Sequence, residues 1–268
     1  MELLWKVSLT PSDTDSVVFA CLQAALVFMM QTGFAMLCAG SIRQKNVKNI
    51  MLKNLLDACG GALGFWSVGY AFAFDTLTSG ERTFIGNHNF FLRDYQTGPE
   101  YINWFLQFAF AATSATIVAG AVAERCKMAA YLCYSVFLTG FVYPVVVHSI
   151  WSSNGFLTAF RADPFRGVGV IDFAGSGVVH LVGGATALVA VIILGPRKGR
   201  FYDEDGNPLE KPAAFGPHNV GLQILGTFLL WFGWYVFLIS SYSAFNCMRF
   251  ETHYIINDAG TVSIQVQP

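Results

Sequence analysis

The chain has 268 residues, of which 54% are hydrophobic, 15% aromatic and only 12% charged. A soluble domain carries about 25% charged residues, so a water-soluble globule is excluded and the solvent is a bilayer. Sixteen basic and 17 acidic side chains leave a formal charge of −1, which offers no field for nucleic acid and, with so much apolar surface, argues against disorder.

A spanning helix needs about 20 mostly apolar residues. Six stretches qualify, at 17–40, 52–74, 102–122, 129–150, 173–194 and 220–240, and predict an all-α membrane protein, a polytopic bundle of about six transmembrane helices. Residues 1–16 then form a short extracytoplasmic segment, 17–241 the membrane domain and 242–268 a short polar tail. The first helix follows the polar run TPSDTDS with no basic region or cleavage site, and reads as a retained helix. In the second, Gly60, Gly61 and Gly64 have the spacing of close helix packing. The third carries Gln107, Phe110, Thr113, Ser114 and Thr116 and ends in Ala-Glu-Arg. The fourth ends in FVYPVVVHSIW, where Pro144 predicts a kink, His148 falls near the outer surface, and Trp151 has the default role of an interfacial belt anchor.

The fifth segment is the richest in polar groups. In DFAGSGVVHLVGG, Asp172, Ser176, His180 and Gly184 recur every fourth residue and predict one polar or small stripe that does not face lipid. Asp172, opening the helix, has the chemistry of a cap for its free N–H groups. At 1.5 Å per residue His180 lies roughly 12 Å deeper, near the bilayer centre. A titratable imidazole there points to a proton or cation path, with a plain interhelical hydrogen bond as the alternative.

Of the 16 basic residues, ten fall in the loops after helices one, three and five: Arg43, Lys45, Lys48, Lys53, Arg125, Lys127, Arg197, Lys198, Arg200 and Lys211. The bias places those loops in the cytoplasm and both termini outside. The cysteines at 21, 38, 59, 126, 133 and 247 lack ligand spacing, so neither a disulfide framework nor a metal site is expected. No nucleophile with a base, no phosphate loop and no paired catalytic carboxylates appear, and an enzyme is not expected.

Four stretches, GFAMLCAGSIRQKNVKNIMLKN, LQFAFAATSATIVAGAVAER, DFAGSGVVHLVGGATALVAVIILGPRKGRF and LGTFLLWFGWY, resemble the ammonium transporters (the Amt/Mep/Rh family), plant and protist type, from about residue 17 to about residue 235. The resemblance implies a trimer of narrow hydrophobic pores in the plasma membrane that pass ammonium or ammonia without a cofactor. Carried over by motif, Trp151 matches the tryptophan of an outer recruitment site, with Phe110 as its neighbour and upper gate. Asp172 matches the acidic residue supporting that site, and His180 the first of two pore histidines.

After Tyr235 the chain reads VFLISS, where the family has a Gly-Phe-Asn-Pro-Gly-Ser-like run. Phe237 and Ser241 therefore fall on the lower gate and the outer-site serine by position only. The family fold has two inverted halves, and the chain holds one half plus one helix, so the second pore histidine has no counterpart. This implies an incomplete conducting unit from a truncated product or a reading frame running past an exon boundary. The alternative is a non-conducting fragment that assembles with, or regulates, a full-length relative; the expected assembly is a homotrimer, or a hetero-oligomer with such a relative. A different class altogether would be a membrane redox protein using His148 and His180 as haem ligands.

Overall fold

A computed structural model of the chain describes residues 14–77, 80–249, 252–256 and 262–266. Six helical rods dominate them, as lipid demands: away from water, each backbone N–H and C=O pairs within its own helix. The first rod is α1 (Thr14–Ser41). The second runs through α2 (Val47–Gly64), a π-turn over Phe65–Gly69, and α3 (Tyr70–Phe74). The third is α4 (Gly98–Val122). The fourth runs through α5 (Met128–Phe137), a π-turn over Leu138–Val142, and α6 (Tyr143–Trp151). A π-turn over Ser176–Leu181 leads into α7 (Val182–Leu194), and α8 (Val220–Arg249) is the sixth rod. Strands β1 (Thr252–Ile256) and β2 (Val262–Val266) follow and pair antiparallel, Thr252 opposite Val266. The chain is a polytopic helical membrane protein.

The rods differ from the apolar segments in instructive ways. Among the described residues, Val17–Ser41, Gly98–Val122, Met128–Trp151 and Ser176–Leu194 are long and apolar enough to span, with Val220–Val236 a shorter apolar helix. The second rod falls short in hydropathy because its first half carries Lys48, Lys53, Asn54 and Asp57. Residues 47–51, expected as loop, are helical, and Lys53 is buried. Its Nζ donates to the Cys126 carbonyl at 2.7 Å, and Tyr131 Oη donates to Asp57 Oδ2 at 2.5 Å. These polar groups turn inward onto the fourth rod, so the helix extends beyond its apolar stretch. α8 likewise continues to Arg249, past the expected end at residue 240, since no Gly or Pro falls between residues 241 and 249.

Close approach depends on small residues. A Cβ at Gly64 would stand 2.7 Å from the Val136 carbonyl oxygen and 2.8 Å from Thr139 Oγ1, which is how GGALG packs on the fourth rod. The fourth rod's irregularity precedes Pro144. That proline leaves the Gly140 carbonyl without its α-helical donor, and the π-turn over Leu138–Val142 absorbs the mismatch. A second seam, not evident from the sequence pattern, joins α1 to α8. A Cβ at Gly33 would meet Leu230 Cγ at 2.8 Å, at Gly40 the Asn219 carbonyl oxygen at 2.6 Å, and at Gly226 the Gly33 carbonyl oxygen at 2.7 Å.

α4 is the buried centre, with Phe108, Phe110, Thr113, Ser114 and four alanines from Ala109 to Ala115 enclosed. It opens with a capping box, Glu100 Oε2 accepting from the Thr97 N–H at 2.8 Å, and with Pro99 in its first turn. α7 ends at Gly195 (φ +70°), followed by Pro196. Outside the bundle at one end, Thr83 bridges to Gly155, knitting the loop after α3 to the loop after α6, and Thr158 bridges to Val170 within the second of these loops.

Candidate functional site

The loop after α6 brings Asp172 back to the end of the helix that carries Trp151. Asp172 precedes the fifth rod rather than lying on it. Its Oδ1 accepts from the Ser176 N–H at 2.9 Å, and its Oδ2 from the N–H groups of Gly177 at 2.9 Å and Val178 at 2.7 Å. Three of the donors that every helix start leaves without an intrahelical partner are thereby satisfied. The same residue's carbonyl accepts from Trp151 Nε1 at 2.8 Å. Trp151 is therefore held from inside at 2% exposure, which corrects its default reading as a belt anchor. Its ring meets Phe110 edge-on, centroids 6.1 Å apart, within the range of favourable aromatic pairs.

Phe110 itself is buried on α4, on the side that also presents Gln107 and Ser114. Among the described residues, Gln107 Oε1 and Ser114 Oγ have no partner, nor has Tyr143 Oη on α6. Buried polar atoms are nearly always satisfied, so atoms like these mark places where a polar guest or water belongs. Tyr143 was not singled out by sequence, because a tyrosine in an apolar helix carries no signal of what lies across from it.

His180 sits in the π-turn. Both Val179 and His180 donate their backbone N–H to the Gly175 carbonyl, at 3.0 and 2.9 Å. The wider turn breaks the expected four-residue stripe, since a π-turn advances side chains by more than an α-turn does. The imidazole is half-buried, with Nδ1 3.1 Å from the Gly175 carbonyl oxygen and its ring 6.4 Å from Trp234 on α8. A carbonyl only accepts, so Nδ1 carries the proton and Nε2 is the nitrogen left to gain one. Behind this turn, a Cβ at Gly183 would stand 2.8 Å from the Ser114 carbonyl oxygen, so the fifth rod rests directly on α4.

One further expectation changes. His148 is fully buried rather than near the surface, with Nδ1 2.9 Å from the Ala73 carbonyl and Nε2 2.8 Å from Thr83 Oγ1. Both ring nitrogens are engaged in tying α6 to the second rod and its following loop, which removes His148 as a haem ligand. Phe237 and Ser241 lie on α8, but their side chains are outside the described residues. Among the described residues, no cluster of His, Cys, Asp and Glu is arranged to hold a metal.

At the opposite end, Glu124 joins three loops. With φ +63°, a left-handed conformation uncommon for a non-glycine residue, it turns its carboxylate inward to 1% side-chain exposure. Oε1 accepts from the Arg43 N–H and Nε, both at 3.1 Å, and from Asn46 Nδ2 at 2.6 Å, while Oε2 pairs with Arg197 at 3.2 Å. Burial pushes the carboxyl up, but the hydrogen bonds from Arg43 and Asn46 outweigh it and hold the group below the usual carboxylate range.

Comparison with known proteins covers nearly the whole chain. The pattern of the Ammonium Transporter Family matches residues 18–264, extending past Tyr235, where the motif-level resemblance ends. The chain is 48% identical over 244 residues to ammonium transporter 1 member 3 of Solanum lycopersicum, covering 91% of this chain and 51% of that protein. It is 51% identical to ammonium transporter 1 member 1 of Arabidopsis thaliana, over 78% of this chain and 40% of that one. Among solved structures, a sensor Amt protein superposes with a TM-score of 0.70 at 37% identity, over 84% of this chain and 54% of its own. Candida albicans Mep2 gives 0.68 at 28%, over 85% and 48%. The chain thus spans about half the length of the relatives it matches. With the family pattern running through all six rods and half of the residues shared with its curated relatives, the chain belongs to the ammonium transporter family.

Proposed function

We propose that this chain serves ammonium transport, supplying the outer mouth and one wall of a path for ammonium or ammonia. The buried Trp151–Phe110 pair, suspended from the Asp172 carbonyl, carries the reading. Ammonium is costly to desolvate, and an aromatic face in a low-dielectric setting returns about 2 kcal/mol or more of that cost. Asp172 acts as a positioning residue. Its carboxylate is engaged by backbone N–H groups and does not pair with the cation, but it fixes the carbonyl that orients the indole. Beyond Phe110 an ion meets apolar walls, so the species that continues is the neutral molecule, and the proton it loses passes to a relay that includes Nε2 of His180. By position Phe237 is the inner gate and Ser241 completes the outer site.

In transporters built from inverted repeats the path lies between the halves. α7 and α8 expose Leu188, Ile192, Ile193, Phe228, Trp231 and Phe232, surfaces available to a second half. The chain alone does not conduct, and works in a trimer or hetero-oligomer with a full-length relative in the plasma membrane, N-terminus outside.

Uptake of labelled methylammonium by proteoliposomes tests both parts. Vesicles holding only this chain are expected to show no saturable uptake, and adding it to a full-length relative is expected to change that relative's uptake, an effect lost in Trp151→Leu. Saturable uptake by the chain alone, abolished by His180→Ala, would sustain transport and overturn the need for a partner. No uptake and no effect on the relative would overturn the transport role.

A further inference from the structure

The loops that Glu124 gathers enclose a cleft with no part in the conduction path. It has a volume of about 360 Å³ and is lined by Arg125, Pro196, Arg197, Arg200, Phe201 and Phe215, within the roughly 300–1,000 Å³ of small-molecule sites. Three of those six residues are arginines and none is acidic. One guanidinium nitrogen of each is fixed by the protein: Arg125 to the Gly195 carbonyl at 3.1 Å, Arg197 to Glu124 at 3.2 Å, and Arg200 to the Ala213 carbonyl. Among the described residues the rest of each fork is left to donate elsewhere, and Arg125 Nε is buried without a partner. Phe215 braces the cluster from below, its ring centroid 4.0 Å from Arg43 and 6.0 Å from Arg197 and Arg200. Glu124 is shared between Arg43 and Arg197, and its single negative charge offsets one of the four arginine charges. Burial first, and then the Arg197 charge, hold the Arg125 guanidinium below its usual range, with Glu124 opposing them.

Holding three like charges together in a half-enclosed space is unfavourable unless an anion joins them. Arginine forks held rigid on an aromatic plate match the tetrahedral oxygens of phosphate, which accept paired N–H donors. We infer that this cleft binds a terminal phosphate group, carried either by an anionic lipid headgroup or by a soluble phosphate compound. Occupancy would tie the loop after α4 to the loop between α7 and α8, the two segments Arg125 and Arg200 belong to.

Titration calorimetry on the purified full chain in detergent decides it, with dioctanoyl phosphatidic acid and inorganic pyrophosphate as probes and dioctanoyl phosphatidylcholine, zwitterionic and without a terminal phosphate, as the reference. Saturable binding of phosphatidic acid alone assigns a lipid headgroup, of pyrophosphate alone a soluble phosphate, and of both the phosphate group itself. Arg200→Gln is expected to weaken binding about tenfold or more, the loss of one charge-assisted contact. Arg200→Lys should weaken it less, keeping the charge without the fork, and Arg93→Gln at the other end of the bundle should change nothing. Absence of saturable binding of either anionic probe to the unaltered chain overturns the inference whatever the variants do. So does binding of equal strength in a folded Arg200→Gln chain.

Discussion

Asp172 does two unlike jobs with one residue, its carboxylate closing the start of the fifth rod and its carbonyl holding Trp151. Asp172→Ala strips three buried or half-buried N–H groups of their acceptor, and is expected to destabilise the chain by about 1–2 kcal/mol in thermal melts in detergent. Asp172→Asn, which keeps one acceptor oxygen, should lose clearly less, and equal losses would mean that the cap is not what the residue contributes. Glu124 permits a prediction with a sign. Its folded-state acidity is stronger than in an unfolded chain, so the stabilisation is present above the unfolded value of about 4.3 and is lost as pH falls through the lower folded value. Glu124→Gln should therefore lower the melting temperature at pH 7, with the gap to the unaltered chain closing in acid. A gap that is constant with pH would contradict the charge-based account.

At the scale of the element, glycine matters where two rods meet and is dispensable where they do not. Gly226 of α8 faces the α1 backbone, and a Cβ there would come within 2.7 Å of the Gly33 carbonyl oxygen, which backbone cannot yield cheaply. Gly226→Ala is expected to cost about 1–3 kcal/mol through overpacking. Gly184 of α7 has nothing within 4 Å of an added Cβ, so Gly184→Ala should be neutral or gain up to about 1 kcal/mol from helix propensity. Comparing the two melts checks the seam directly, and the reverse order would show that α8 does not pack on α1 through glycine. The three π-turns act at the same scale. The one at Ser176–Leu181 rotates His180 out of register with Ser176, so the face bearing the imidazole is set by backbone hydrogen bonding rather than by four-residue spacing.

For the whole molecule, the two ends of the bundle differ in charge and in construction. One end gathers Arg43, Arg125, Arg197 and Arg200 around Glu124 and Phe215, and the other is the knitted cap over His148. From the ten-to-six distribution of basic residues we propose that the first end faces the cytoplasm. In a cysteine-free background, Lys45→Cys and Lys198→Cys should resist an impermeant maleimide added to intact cells, and Arg93→Cys should react. Labelling at 45 or 198 would invert the bundle and put Trp151 at the inner mouth.

The number and order of the helices, their apolar character and the family motifs were legible in the linear chain, because spanning lipid imposes length and hydropathy on each segment independently of its neighbours. Capping was legible for the same reason at Asp172, since a cap acts within one turn, whereas the Thr97–Glu100 capping box emerged only with the structure. What lay across an interface was not. Trp151, His148 and Lys53 each looked like boundary residues, and each is buried because another segment supplies its partner: the Asp172 carbonyl, the Ala73 carbonyl with Thr83, and the Cys126 carbonyl. The α1–α8 glycine seam, the unpartnered oxygens beside Phe110 and the arginine cleft also depend on groups distant in sequence. Periodicity reports which side of a helix is apolar, whereas burial and hydrogen-bond partnership are decided by what the tertiary structure sets against it.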